Sequence, residues 1–168
     1  KHFLSYLLLA LSLVFTGIAD SASQKPTTIA ELALYKGADR QQVLEEGAKK
    51  EGKLTFYTTS TEEQYRPFVK AFQQKYPYIK MDIWRGGTDT IVPRVTEEYK
   101  ARKYVVDVMR VSGSGGIVLR ENGFLQPFYS PETAIMEEAA VISSPDGKGA
   151  LLVGNCGSVQ GLGYKTTL

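Results

Sequence analysis

Gly52-Lys53-Leu54-Thr55-Phe56-Tyr57-Thr58-Thr59-Ser60-Thr61-Glu62-Glu63 decides the fold. Leu54 to Tyr57 is apolar and β-prone, Thr58 to Thr61 is a run of hydroxyls, and Glu62 and Glu63 place acids in what reads as a helical first turn. A strand that stops at a polar turn and becomes a helix presents outward-pointing backbone N–H groups at its end. In open α/β sheets, ligands bind at the carboxyl ends of the strands. This junction is therefore read as one wall of a ligand cleft.

The same unit recurs downstream. Tyr65, Phe68, Val69, Phe72 and Tyr76 form an apolar stripe of helical period, which predicts a buried helix face, and Pro77 ends the helix. Ile79 to Trp84 alternates as a second strand, with Ile79, Met81 and Ile83 on one side. The turn Arg85-Gly86-Gly87-Thr88-Asp89 follows, then a helix opening at Thr90 to Pro93 with Ile91, Val95 and Tyr99 inward. Val105 to Val111 reads as a third strand, Ser112-Gly113-Ser114-Gly115-Gly116 as a turn, and Ile117 to Asn122 as a short helix.

Beyond Gly123 the pattern loosens. Ser130 as N-cap and Pro131 at the first helical position predict a helix reaching about Val141. Pro145-Asp146-Gly147 marks a turn. Ala150 to Val153 and Val159 to Tyr164 read as strands. Upstream, Ile29 to Leu34 is a weak helical patch. Asp39 stands three residues before Gln42, a capping-box spacing for a helix stopped at Gly52. Strand–helix alternation of this kind implies an α/β fold, a mostly parallel sheet flanked by helices.

The N-terminus carries a different signal. Lys1 and His2 precede an apolar run from Phe3 to Ile18, followed by the small residues Ala19, Ser21, Ala22 and Ser23. That order is expected of a secretory signal peptide occupying residues 1–23, so the protein is expected to be periplasmic or extracellular. Residues 24–52 then form an arm and leading helix, and residues 53–168 an α/β lobe. Cleavage would remove His2, the sole histidine. Histidine-based catalysis and histidine metal ligands are thus not expected, and the one cysteine, Cys156, makes no internal disulfide or thiolate cluster. A net charge of +2, without a basic block, gives no expectation of nucleic acid.

Function is expected at three strand-to-helix turns: Thr58, Thr59 and Ser60; Arg85, Gly86 and Gly87; and Ser112, Gly113 and Ser114. In a parallel sheet they share one edge, where hydroxyls, backbone N–H groups and the Arg85 guanidinium suit a carboxylate, a phosphate or another small oxygen-rich ligand. Tyr57 reads as either cleft wall or core, and Trp84 as packing. No phosphate-loop, dinucleotide or nucleophile-elbow pattern is present. No cofactor, metal or catalytic residue is expected, and an enzyme is the weaker reading.

Ala48 to Gly87 (AKKEGKLTFYTTSTEEQYRPFVKAFQQKYPYIKMDIWRGG) resembles the opening of the extracellular solute-binding proteins of ABC transporters, type II, nearest the ferric-ion-binding group. Val106-Asp107-Val108, Gly123-Phe124-Leu125-Gln126-Pro127-Phe128 and Gly161-Leu162-Gly163-Tyr164-Lys165-Thr166 resemble later landmarks of that group. The resemblance implies two α/β lobes closing on a solute by a hinge. This chain would supply the first lobe and the entry to the hinge, the second lobe being missing from it, and a membrane ABC permease would be the partner. Within the family, an organic anion fits these residues better than ferric iron, because Arg85 would oppose a cation.

Overall fold

The computed structural model describes residues 25–154, as an α/β fold built on a three-stranded parallel sheet. Two helices lead in: α1 (Ile29–Leu34) and α2 (Arg40–Glu51). Then β1 (Lys53–Thr58), α3 (Glu62–Lys75), β2 (Lys80–Arg85), α4 (Thr88–Lys100), β3 (Val108–Arg110) and α5 (Gly113–Glu121) follow in alternation. The chain continues through 3₁₀ turns at Pro131–Ile135 and Glu138–Ala140 into an antiparallel hairpin of β4 (Val141–Ser143) and β5 (Ala150–Val153). The segments read from sequence as a signal peptide and as a strand at Val159 to Tyr164 lie outside the described residues.

The sheet order is β2-β1-β3, so the opening stretch of sequence is the central strand. Phe56 stands beside Ile83 and Val108 on one face, and Tyr57 beside Trp84 and Met109 on the other. The second face holds the core: Tyr57, Ile91, Val95 and Leu119 are buried together, so α4 and α5 cover it. The β1–α3–β2 and β2–α4–β3 crossovers run in opposite directions across the sheet, so right-handedness in both puts α3 on the face opposite α4. Tyr57 is thus core, 1% exposed, not cleft wall. Its hydroxyl donates to Glu98 Oε1 at 2.8 Å, and the Arg94 guanidinium lies 4.2 Å from the centroid of Trp84. Burial first, and the Glu98 carboxylate second, push the Tyr57 phenol above its ordinary pKa.

Several expectations are corrected. The aromatic stripe of α3 is not a buried face: none of its residues is buried, and Phe68 is 76% exposed. The cause is position, since α3 packs on β2, an edge strand. The third strand is shorter than its apolar run. Asp107 enters the ladder with its side chain, accepting the Thr55 N–H at 2.7 Å, so regular pairing begins only at Val108. The residues from Pro131 to Val141 form no continuous helix. Met136 is extended, and the β-branched Val141 and Ile142 pair with Val153 and Leu152 instead. Asp39 precedes α2 but makes no side-chain cap; its carboxylate accepts from the Tyr35 hydroxyl at 2.6 Å. A capping box does occur one helix earlier, between Thr28 and Glu31.

The turn read at Pro145-Asp146-Gly147 is present, and it closes a β4–β5 hairpin that was not expected. Gly147 holds φ +68°, which a side chain would strain. The Ser144 hydroxyl donates to Asp146 Oδ1 at 2.6 Å, and Lys148 N–H also reaches that oxygen at 3.2 Å. These bonds, the Ser144 hydroxyl first, hold the Asp146 carboxyl below the ordinary aspartate value of 3.8. A depressed folded pKa stabilises the hairpin above the unfolded value, and that contribution is lost as pH falls through the folded one. A carbon-detected NMR titration is expected to give Asp146 a midpoint below 3.8. Ser144→Ala is expected to move it upward; an unshifted midpoint in the variant would remove the hydroxyl as the main cause.

Candidate functional site

All three strand-to-helix turns lie at the carboxyl edge of the parallel sheet, and hydrogen bonds join them in pairs. The β1 and β2 turns meet where Arg85 Nε donates to the Ser60 carbonyl at 3.0 Å and Gly86 N–H to the Thr58 carbonyl at 3.1 Å. The β1 turn is held to β3 by Thr59 N–H, which donates to the Arg110 carbonyl at 3.0 Å. The β2 and β3 turns meet through Thr88 and Ser112, whose hydroxyls are 3.2 Å apart, while Ser112 N–H donates back to Thr88 Oγ1 at 3.3 Å.

The nine expected residues separate into roles. Thr58 is fully buried and its hydroxyl accepts the Ser60 N–H at 3.1 Å, so in this conformation it shapes the turn and offers no surface. Ser60 is 3% exposed, while Thr59 is half-buried. Both line a cleft of about 1170 Å³ that runs from the loops along β3, and Ser112 and Gly113 line it too. Arg85, Gly86, Gly87 and Ser114 are not in its wall. The cleft wall adds Gln64 and Arg110, which the sequence reading did not select. Arg110 ends β3, one residue short of the run read as a strand, and Gln64 is the third residue of α3.

Strand alternation splits the site in two. Arg85 and Arg110 flank Thr58 in register, on the face opposite Tyr57. Two guanidinium-bearing residues thus end their strands beside the turn that opens α3. Thr88, Ser112 and Ser114 belong to the other side, where α4 and α5 begin. Ser112 Oγ and Ser114 Oγ are 2.9 Å apart, forming a hydroxyl trio with Thr88. One side supplies planar cationic forks, suited to a carboxylate or phosphate, and the other supplies neutral donors and acceptors.

The Gly-rich signal after β3 has a second cause. Ser112-Gly113-Ser114-Gly115-Gly116 is the start of α5, not a turn: Ser112 is the N-cap and its hydroxyl accepts the Gly115 N–H at 3.2 Å. Gly115 and Gly116 are buried at close approaches. A Cβ on Gly115 would stand 2.5 Å from Thr88 Cγ2, and one on Gly116 would stand 3.1 Å from Leu152 Cδ2. The small residues bring α5 against the first turn of α4, which is what lets the Ser112 and Thr88 hydroxyls meet. α4 likewise begins at Thr88, earlier than expected, with Gly87 as its N-cap.

No protein-family model matches the chain, and no curated protein matches it.

Proposed function

We propose that the chain is the first-lobe part of an extracytoplasmic solute-binding receptor, which captures a small polar, anionic solute at these loops and delivers it to a membrane ABC permease. The observation that carries this reading is the pairwise tying of three strand-end turns at one sheet edge, with Arg85 joining two of them through the Ser60 carbonyl. Donors held before the ligand arrives lose little entropy on binding it. The α/β sheet supports the reading, because such folds place ligands at this edge. The family resemblance of Ala48 to Gly87 adds the receptor and permease roles, and the apolar Phe3 to Ile18 adds export.

A thermal-shift panel of carboxylates, phosphates, polyamines, sugars and metal ions tests it. An anion present at roughly 100 times its dissociation constant is expected to add about 2.7 kcal/mol of stability. Stabilisation by a sugar or polyamine with none by any anion would contradict the proposal. Stabilisation by ferric iron alone, with a tyrosinate charge-transfer band, would assign the chain to the iron-binding branch instead.

A further inference from the structure

The two strand-end arginines stand on either side of the turn that opens α3. The sheet order puts Arg85 and Arg110 one strand away from Thr58 in opposite directions, each in register with it. Two interstrand spacings separate their Cα atoms by about 9.5 Å, and strand alternation sends both side chains to the face opposite Tyr57. Arg85 is tethered there. Its Nε donates to the Ser60 carbonyl at 3.0 Å, which draws the guanidinium towards the turn. Its two Nη groups make no hydrogen bond, and the residue forms no ion pair, among the described residues. Arg85 is exposed, so this terminal fork is open to a ligand.

Arg110 occupies the other side of the turn. It is half-buried and lines the cleft with Thr59, Ser60 and Gln64, whereas Arg85 lies outside that wall. A guanidinium has donors enough to hold a protein partner and a carboxylate at once. The Thr59–Ser60 turn therefore stands between the two cations. It is anchored to both strands, by Arg85 Nε on the Ser60 carbonyl and by Thr59 N–H on the Arg110 carbonyl. Neutral groups are also left over on the Arg110 side. Gln64 Oε1 accepts the Thr61 N–H at 3.0 Å, which leaves its Nε2 as a donor, and the Thr59 hydroxyl makes no hydrogen bond among the described residues.

The acids at this edge do not cancel the pair. Glu62, in the first turn of α3, is spent on Arg66 at 2.6 Å, and Glu63 beside it adds one negative charge against the two arginines. Asp89 belongs to α4, which covers the other face. A compact anion held on the Arg85 fork does not reach across the turn to Arg110. Two carboxylates joined by a chain reach both, and each meets a planar fork that matches its own geometry. Joining them makes the second contact intramolecular, which adds affinity only when the linker spans the two positions.

We infer that the site takes a linear dicarboxylate, with one carboxylate on the Arg85 Nη fork, the other at Arg110 in the cleft, and the linking chain crossing the Thr59–Ser60 turn. This rests on the anion-binding reading proposed above and adds a ligand class to it. The full chain is titrated calorimetrically with dicarboxylates from malonate to sebacate and with the monocarboxylate of each length. The best dicarboxylate is expected to bind at least about tenfold tighter than its monocarboxylate, the scale of a hydrogen bond to a charged group. It is also expected to bind tighter than malonate, which has the same charge but is too short to span the turn.

Arg110→Gln is expected to remove that gain while leaving the affinity for malonate and for the monocarboxylates unchanged. The length series on the unmodified chain stands as a test even if the variant fails to fold. Equal binding of monocarboxylates and dicarboxylates, no dicarboxylate tighter than malonate, or a gain that survives in folded Arg110→Gln would overturn the inference and leave the anion-binding reading standing. Binding of phosphate with no binding of any carboxylate would do the same. No binding of phosphate or of any carboxylate would overturn both.

Discussion

Ile91→Ala is expected to lower the unfolding free energy by about 2–5 kcal/mol, the usual range for emptying a fully buried aliphatic site. Ile91 is 0% exposed and packs with Tyr57, Val95 and Leu119 between α4 and the central strand. Domains of this size have roughly 5–15 kcal/mol in total, so this one truncation removes a large share. Phe68→Ala is the contrast. By sequence pattern Phe68 belongs to the more convincing apolar stripe, yet at 76% exposure its truncation is expected to cost less than about 0.5 kcal/mol. Urea denaturation of both variants checks the pair. A large loss for Phe68→Ala would mean that α3 is covered, and a small loss for Ile91→Ala would mean that the α4 face is not the core.

Gly115→Val is expected to destabilise the fold by about 1–3 kcal/mol, the range for overpacking a close contact. The new Cβ would stand 2.5 Å from Thr88 Cγ2 and 3.2 Å from Val92 Cγ2, so α5 must move off α4. That displacement breaks the Thr88–Ser112 hydroxyl contact, so the variant is expected to weaken anion binding as well. Gly113→Ala, where an added Cβ meets nothing within 4 Å, is expected to be neutral or stabilising by up to about 1 kcal/mol. Thermal melts of the two variants, followed by titration with the same anion, separate packing from a general glycine effect.

These pairs mark where sequence was informative. The central strand, its neighbour β2 and the Ile91 and Val95 part of the α4 stripe were legible because alternation and helical period report burial directly when an element faces a sheet; Tyr99, expected on the same stripe, is 38% exposed. The α3 stripe had the same period, but period says which residues share a face, not whether anything covers it. The strand order, with β2 at an edge, decides that and is set by long-range pairing. Ser112 to Gly116 was misread as a turn because glycine marks both loops and close helix contacts. Only the position of Thr88 against Gly115 distinguishes them. The helix expected after Ser130 failed because a good N-cap starts a helix without sustaining one against strand pairing by Val141 and Ile142.

The site divides in the same way. That three turns share an edge follows from parallel topology, which alternation alone suggested. That Thr58 is buried and spends its hydroxyl on Ser60 N–H was not legible, because a threonine in a polar run looks the same facing in or out. Arg110 was overlooked because it ends a strand whose apolar run continues into Val111. Its register beside Thr58 appears only when β3 is paired with β1.

The account rests on Arg85 joining two of the turns and facing an anion. Calorimetric titration of the protein and of Arg85→Ala with inorganic phosphate and with malonate tests it most directly. For whichever of the two anions binds, Arg85→Ala is expected to weaken affinity by roughly tenfold or more, since a hydrogen bond to a charged group contributes about 1.5–3 kcal/mol. Arg120→Ala, in the last turn of α5, serves as the charge-matched control and is expected to leave affinity unchanged. Equal affinities for the unmodified protein and Arg85→Ala, or equal losses in both variants, would contradict an anion site at the loop-bearing edge.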